Sequence, residues 1–208
     1  FDGVIADSVN VKTMAFKQMY LPYGNDIAER VVEHHKAHGG MSRFEKFKLY
    51  HSKFLDIDLN EIEIDDLAQQ FSILVKEGVI NATEVRGAHD FLNEFKNDLN
   101  MYVITGTPTE ESIEICKARG IYNCFKGIYG SPQKKGYWSK KTLEECHLKV
   151  ENTIFVGDAM ADYLAAIEND IPFYLREYNE NRELFKNISG IIRFDNFEDL
   201  RMKILLQN

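Results

Sequence analysis

The pattern that most restricts this chain sets in after about residue 85. Short apolar runs, too brief for helices, alternate with amphipathic helical stretches. A chain built this way buries its strands in a mainly parallel sheet covered by helices, an α/β fold. Residues 87–98 place Ala88, Phe91, Leu92 and Phe95 on one helical face, and residues 101–104 form an apolar run expected as a buried strand. The next helix is predicted to open with Thr107 as N-cap, Pro108 at the first helical position and Glu110 closing a capping box. Lys117 and Arg119 suit its last turn, and Gly120 its stop. Further strands are expected at 127–130, 153–156, 171–175 and 191–194, with helices over 160–169 and through Phe197, Leu200 and Ile204.

Residues 10–80 read differently. Strand signals nearly vanish, and Val11, Met14, Ala15 and Met19 follow helical spacing. Segments 26–38, 42–51 and 60–77 also read as helices, separated by turn signals at Pro22-Tyr23-Gly24 and Gly39-Gly40. The expected organisation is a discontinuous α/β core, residues 1–9 and 82–208, interrupted by a compact helical insert over 10–81.

Composition excludes several functions. Lys plus Arg is 25 against 33 for Asp plus Glu, a formal charge of −8, and such a surface repels nucleic-acid backbones. No apolar stretch approaches the ~20 residues a membrane-spanning helix needs. The opening at Phe1 carries no signal peptide and no initiator Met, and a segment upstream is expected to be missing. Cys116, Cys124 and Cys146 are odd in number and form no CxxC, which suits packing thiols in a reducing cytoplasm.

Chemistry concentrates in four places. Asp2, Thr105 and Asp158 each follow an expected strand, and in open α/β sheets ligands sit beyond the carboxyl ends of the strands. Thr105 and Gly106 precede a helix start, where free N–H groups and the positive dipole end favour a phosphate. Gly106 and Gly157 allow close backbone approach. Asp158 offers a hard oxygen ligand of the kind Mg²⁺ prefers, and Lys135 supplies a cation for crowded carboxylates or phosphate.

These segments resemble the motifs of the haloacid dehalogenase (HAD) superfamily. Phe1-Asp2-Gly3-Val4-Ile5-Ala6-Asp7-Ser8 is similar to the first motif, Asp-x-Asp-Gly-(Val/Thr). Val103-Ile104-Thr105-Gly106 resembles the second, and the lone Lys135 in Gly130-Ser131-Pro132-Gln133-Lys134-Lys135 resembles the third. Val156-Gly157-Asp158-Ala159-Met160-Ala161-Asp162 resembles the fourth, Gly-Asp-x-x-x-Asp. The resemblance spans the chain. It implies a Rossmann-like parallel-sheet core with an inserted α-helical C1 cap, in the phosphoglycolate phosphatase and β-phosphoglucomutase-like branch. It further implies a nucleophilic Asp immediately before Phe1, outside the sequence. Asp2 is then acid and base, its backbone carbonyl a ligand of Mg²⁺. Thr105, the Gly106 N–H and Lys135 bind phosphate. Asp158 ligates the metal directly, and Asp162 supports the metal's waters or Lys135.

Plainer roles compete at several positions. Asp7 and Ser8 are expected to cap the first insert helix. Lys134 competes with Lys135 for the third motif. His34 and His38, four apart, lack a third ligand and the Glu of a zincin, so with His35 they are read as a solvated or partly packed cluster. Arg43, after Gly39-Gly40-Met41-Ser42, either reads a carboxylate or second phosphate on the leaving group or is a surface Arg near Glu45. Lys46 and Lys48 are expected to be solvated.

The expected protein is a cytoplasmic Mg²⁺-dependent phosphatase acting on a small phosphorylated metabolite, with no nucleic-acid or membrane partner. A sugar-phosphate mutase of the same fold and a non-catalytic phosphate-binding module are the alternatives. A dehalogenase is disfavoured, because Asp2 supplies an acid/base that phosphoryl transfer needs.

Overall fold

The computed structural model describes residues 1–205. After a turn formed by the first residues, the chain enters four helices in succession: α1 (Val9–Tyr20), α2 (Asn25–Ala37), α3 (Arg43–Tyr50) and α4 (Glu61–Ile80). Their inward faces meet in one aromatic-rich cluster around Phe16, Tyr20, Phe47, Tyr50, Phe71 and Val75. Ser42 accepts a hydrogen bond from the Glu45 N–H, and Asn60 and Glu63 form a full capping box. Such caps satisfy first-turn donors that would otherwise stay orphaned.

The remaining elements alternate as the apolar pattern requires. They are α5 (Ala88–Phe95), β1 (Tyr102–Pro108), α6 (Thr109–Ala118), β2 (Gly127–Ser131), α7 (Lys135–Glu145), β3 (Phe155–Gly157), α8 (Met160–Glu168), β4 (Phe173–Arg176), α9 (Arg182–Phe185), β5 (Ile192–Phe194) and α10 (Phe197–Leu205). The strands pair in parallel throughout. β1 lies beside β2 in one sheet, and β3, β4 and β5 follow in order in another. Val4, Ile5, Phe91, Val103, Ile128, Tyr174 and Phe194 share one core cluster, so residues of both sheets and of the opening turn pack together.

One local expectation is corrected, at the start of α6. The opening residues form a turn. The Phe1 carbonyl accepts the N–H groups of Val4, Ile5 and Ala6, and only isolated bridges, Asp2 with Ala6 and Ala6 with Glu84, remain. The chain folds back at Gly3, whose φ is +71°, and a Cβ there would lie 2.1 Å from the Asp158 carboxylate. Helix α6 starts at Thr109, not Pro108, and Pro108 caps it with no side-chain hydrogen bond. The reason is tertiary. β1 keeps pairing with β2 as far as Pro108 opposite Ser131, and the Gly130 N–H donates to the Thr109 hydroxyl at 2.8 Å. The register breaks between Ile104 and Pro108, so Thr105, Gly106 and Thr107 lie on extended backbone outside the ladder. Irregularities of this kind re-aim side chains beside sites.

Candidate active site

One cavity of about 350 Å³ receives Asp2, Thr105, Gly106, Lys135, Asp158 and Asp162, residues scattered over most of the sequence. Its far wall comes from the helical segment, through Lys12, His35, Gly40, Arg43 and Lys46. The two walls touch. A Cβ on Gly106 would lie 2.7 Å from the Gly40 carbonyl oxygen, so only glycine lets the backbones approach this closely.

Asp2 sits under two close donors. Ser8 Oγ donates to its Oδ1 at 2.6 Å, and Lys12 Nζ donates to its Oδ2 at 2.5 Å while also reaching Thr107 Oγ1 at 2.7 Å. Burial by itself would push the Asp2 carboxyl up. The Lys12 ammonium and the Ser8 hydroxyl outweigh it and hold the group well below the usual carboxylate range. These contacts favour the ionised form of the Asp2 carboxyl. Ser8 stands at the N-cap of α1 without making a side-chain cap bond, which corrects its expected role. Its hydroxyl faces Asp2 instead.

The carboxylates on the other side are set by different elements. Asp158 follows β3, and Asp162 lies in the first turn of α8. Asp162 does two jobs at once, taking the Lys135 ammonium on Oδ1 at 2.5 Å and the Ala159 N–H on Oδ2 at 3.2 Å. Lys135 opens α7 and faces the cavity, whereas the neighbouring Lys134 is exposed. Asp158 is buried close to Asp162, and desolvation together with that repulsion raises its carboxyl above the usual range, to about 6.

The segment after β4 completes the frame, with no motif to announce it. Tyr178 Oη donates to Asp158 Oδ2 at 2.8 Å, and Asn181 Nδ2 donates to the Asp158 carbonyl at 2.8 Å. Arg176 donates to the Gly3 carbonyl at 3.0 Å. These residues and Lys12 escape sequence reasoning because each acts through a contact between distant segments.

The carboxylate oxygens of the cavity bear on which metal it could suit. Asp2, Asp158 and Asp162 face only Lys12 and Lys135 in the immediate cluster, so a divalent cation would relieve the Asp158–Asp162 repulsion. Oxygen donors of this kind fit Mg²⁺. Among the described residues, no group of three His, Cys, Asp or Glu side chains is placed to hold a metal ion. Mg²⁺ ordinarily completes its octahedron with water and other oxygens.

Two cations occupy unexpected positions. Arg43 is 4% exposed, and its guanidinium forks onto Glu111 of α6, with both contacts at 2.7 Å and Ser72 alongside. It lines the cavity wall as a bridge between α3 and α6, its charge already matched. Lys46, expected in solvent, is 1% exposed, because α3 turns it inward against His35 and Phe16. The histidine cluster splits accordingly. His35 is buried beside Lys46, while the rings of His34 and His38 stack with centroids 3.9 Å apart.

Parallel strands under helices, with carboxylates, a lysine and a Thr-Gly segment converging at strand ends, put this polar cavity where open α/β sheets bind ligands. The family model described as haloacid dehalogenase-like hydrolase matches residues 1–176, and the chain belongs to that family. Solved structures share the fold at low identity. A predicted phosphatase from Clostridium acetobutylicum superposes with a TM-score of 0.77 at 20% identity, covering 99% of this chain and 95% of that one. β-Phosphoglucomutase from Clostridium difficile gives 0.76 at 18%, covering 99% and 92%. CbbY from Rhodobacter sphaeroides, in complex with phosphate, gives 0.70 at 17%, covering 96% and 92%. No curated protein matches the sequence significantly. Among the described residues, no helix is long and apolar enough to cross a membrane.

Proposed function

We propose that the protein is a Mg²⁺-dependent phosphatase that hydrolyses a small phosphorylated metabolite through an aspartyl-phosphate. The observation that carries this reading is the convergence of Asp2, Thr105, Gly106, Lys135 and Asp158 on one cavity. Helices α1–α4 act as a cap over the core formed by the chain on either side of them. The cap keeps bulk water from the reaction and limits the substrate's size.

Thr105, the Gly106 N–H and Lys135 hold the phosphoryl oxygens. The nucleophile is the aspartate expected immediately ahead of Phe1. Its oxygen bonds to phosphorus as the ester P–O bond breaks, and Asp2 relays to the departing alkoxide the proton that a monoanionic substrate phosphate brings in. A water then attacks phosphorus, Asp2 takes that water's proton, and the acyl-phosphate P–O bond breaks to release inorganic phosphate. The ionised resting state of Asp2 suits the second half of this cycle. Asp158, the Asp2 backbone carbonyl and, indirectly, Asp162 would hold Mg²⁺, which supplies positive charge to the phosphoryl oxygens when bound.

Phosphate release by the complete protein from a panel of phosphorylated metabolites tests the reading. Mg²⁺ should support turnover, and EDTA should abolish it reversibly. Full turnover after verified metal removal would overturn the metal's role. Isomerised sugar phosphate without released phosphate would make the protein a mutase.

A further inference from the structure

Lys46 is a buried ammonium with no counter-ion. Among the described residues, no carboxylate forms an ion pair with it, whereas Lys12, Arg43 and Lys135 on the same cavity are paired with Asp2, Glu111 and Asp162; the lining's other cations, Arg176 and Lys36, have no ion pair either, but Arg176 donates to backbone carbonyls and Lys36 is exposed. It contacts His35 Nδ1 at 2.8 Å, and its ammonium lies 5.5 Å from the Phe16 ring centre. Lys46, His35 and Phe16 all line the cavity that contains Asp2 and Thr105, with Phe71 on the same wall.

A charged group taken from water without a partner is costly, and an anion placed beside it recovers much of that cost. We propose that Lys46 and His35 form an anion subsite in the cap that holds a second acidic group, carboxylate or phosphate, on the organic part of the phosphate ester. The preferred substrates are therefore small phosphate monoesters bearing another negative charge. This deepens the phosphatase reading and rests on it.

The chemistry of the pair fits this role. Burial, the neighbouring Lys46 and Lys12 keep the His35 imidazole neutral. With Nδ1 accepting from Lys46, the remaining proton belongs on Nε2, so the pair offers an ammonium and an N–H donor together. Burial, then Lys12 and Lys135, draws the Lys46 ammonium down to about 7. An anion alongside would raise it again, so the subsite should take up protons as it fills near neutral pH. The aromatic walls limit water and strengthen the pairing.

Calorimetric binding to the Mg²⁺-loaded complete protein provides the test, using matched probes. These are 3-phosphoglycerate against glycerol 3-phosphate for a carboxylate, and fructose 1,6-bisphosphate against fructose 6-phosphate for a phosphate. Wild-type protein should bind at least one doubly acidic probe on the order of 30-fold more tightly than its counterpart, or better. Lys46→Met should abolish that preference while leaving the singly acidic probes nearly unchanged. Equal binding within both pairs in wild type overturns the proposal even if the variant fails to fold, as does a preference that survives in a folded variant. The two readings separate through an aryl phosphate. If wild type hydrolyses it yet shows no preference within either pair, only the subsite fails. If wild type prefers the doubly acidic probes yet hydrolyses no ester, the phosphatase reading fails.

Discussion

Arg43 of α3 and Glu111 of α6 form a buried two-point ion pair, each contact 2.7 Å, joining the helical segment to the α/β layer. Arg43 also lies 4.7 Å from the Phe71 ring centre. Removing one member of such a pair strands the other without a partner. Glu111→Ala is expected to cost about 3–5 kcal/mol in urea denaturation, and Arg43→Met combined with Glu111→Leu should recover much of that loss. A cost below about 1 kcal/mol for Glu111→Ala would place the pair among weak surface contacts.

Asp2→Asn removes the proposed acid and base while keeping the backbone carbonyl. Turnover of an alkyl phosphate should fall by about 10²–10⁴-fold, with a smaller loss for an aryl phosphate whose leaving group needs little protonation. Equal losses on the two substrates, measured as kcat, would give Asp2 a structural role.

Tyr178 donates to the carboxylate of Asp158 and so aims the group proposed to hold Mg²⁺. Outer partners of metal ligands typically govern affinity by about 10–100-fold. Tyr178→Phe should raise the Mg²⁺ concentration needed for half-maximal activity by that order, with kcat at saturating Mg²⁺ less affected. An unchanged Mg²⁺ dependence would detach Tyr178 from the metal site.

Lys46 makes stability depend on pH in a definite direction. Facing it are His35 from α2, Lys12 from α1 and Lys135 from α7, with Glu45 on its own helix. Its folded-state pKa is lowered from 10.5 to about 7, so between these values the unfolded chain binds a proton that the folded chain has released. This contribution makes stability rise with pH across that window, by at most about 1.4 kcal/mol per pH unit. Below about 7 the folded chain bears the full penalty of the buried charge. The stability of wild type relative to Lys46→Met, from urea denaturation, should rise by about 1–2 kcal/mol between pH 7 and pH 9. A difference that is flat or falls with pH would mean that Lys46 is not buried as a strained cation.

Much of this molecule is written in local pattern. Apolar spacing and turn residues placed α1–α4 and the later strands within a few residues of their positions, because buried faces impose periods of 3.6 and 2 on any sequence that forms them. Spacing along the chain also singled out Asp2, Thr105, Lys135, Asp158 and Asp162, since each stands beside a strand end or helix start. Contacts between distant segments decided the rest. Pairing of Pro108 with Ser131 overrode a good helix start at Thr107, and closure of α3 onto α2 turned Lys46 from an expected surface lysine into a buried one. The same closure committed Arg43 to Glu111, across 68 residues of sequence. Local pattern states which face of a helix is apolar. Which charge is buried, and beside what, depends on how that helix packs against segments far away in the chain, and only the tertiary structure determines that.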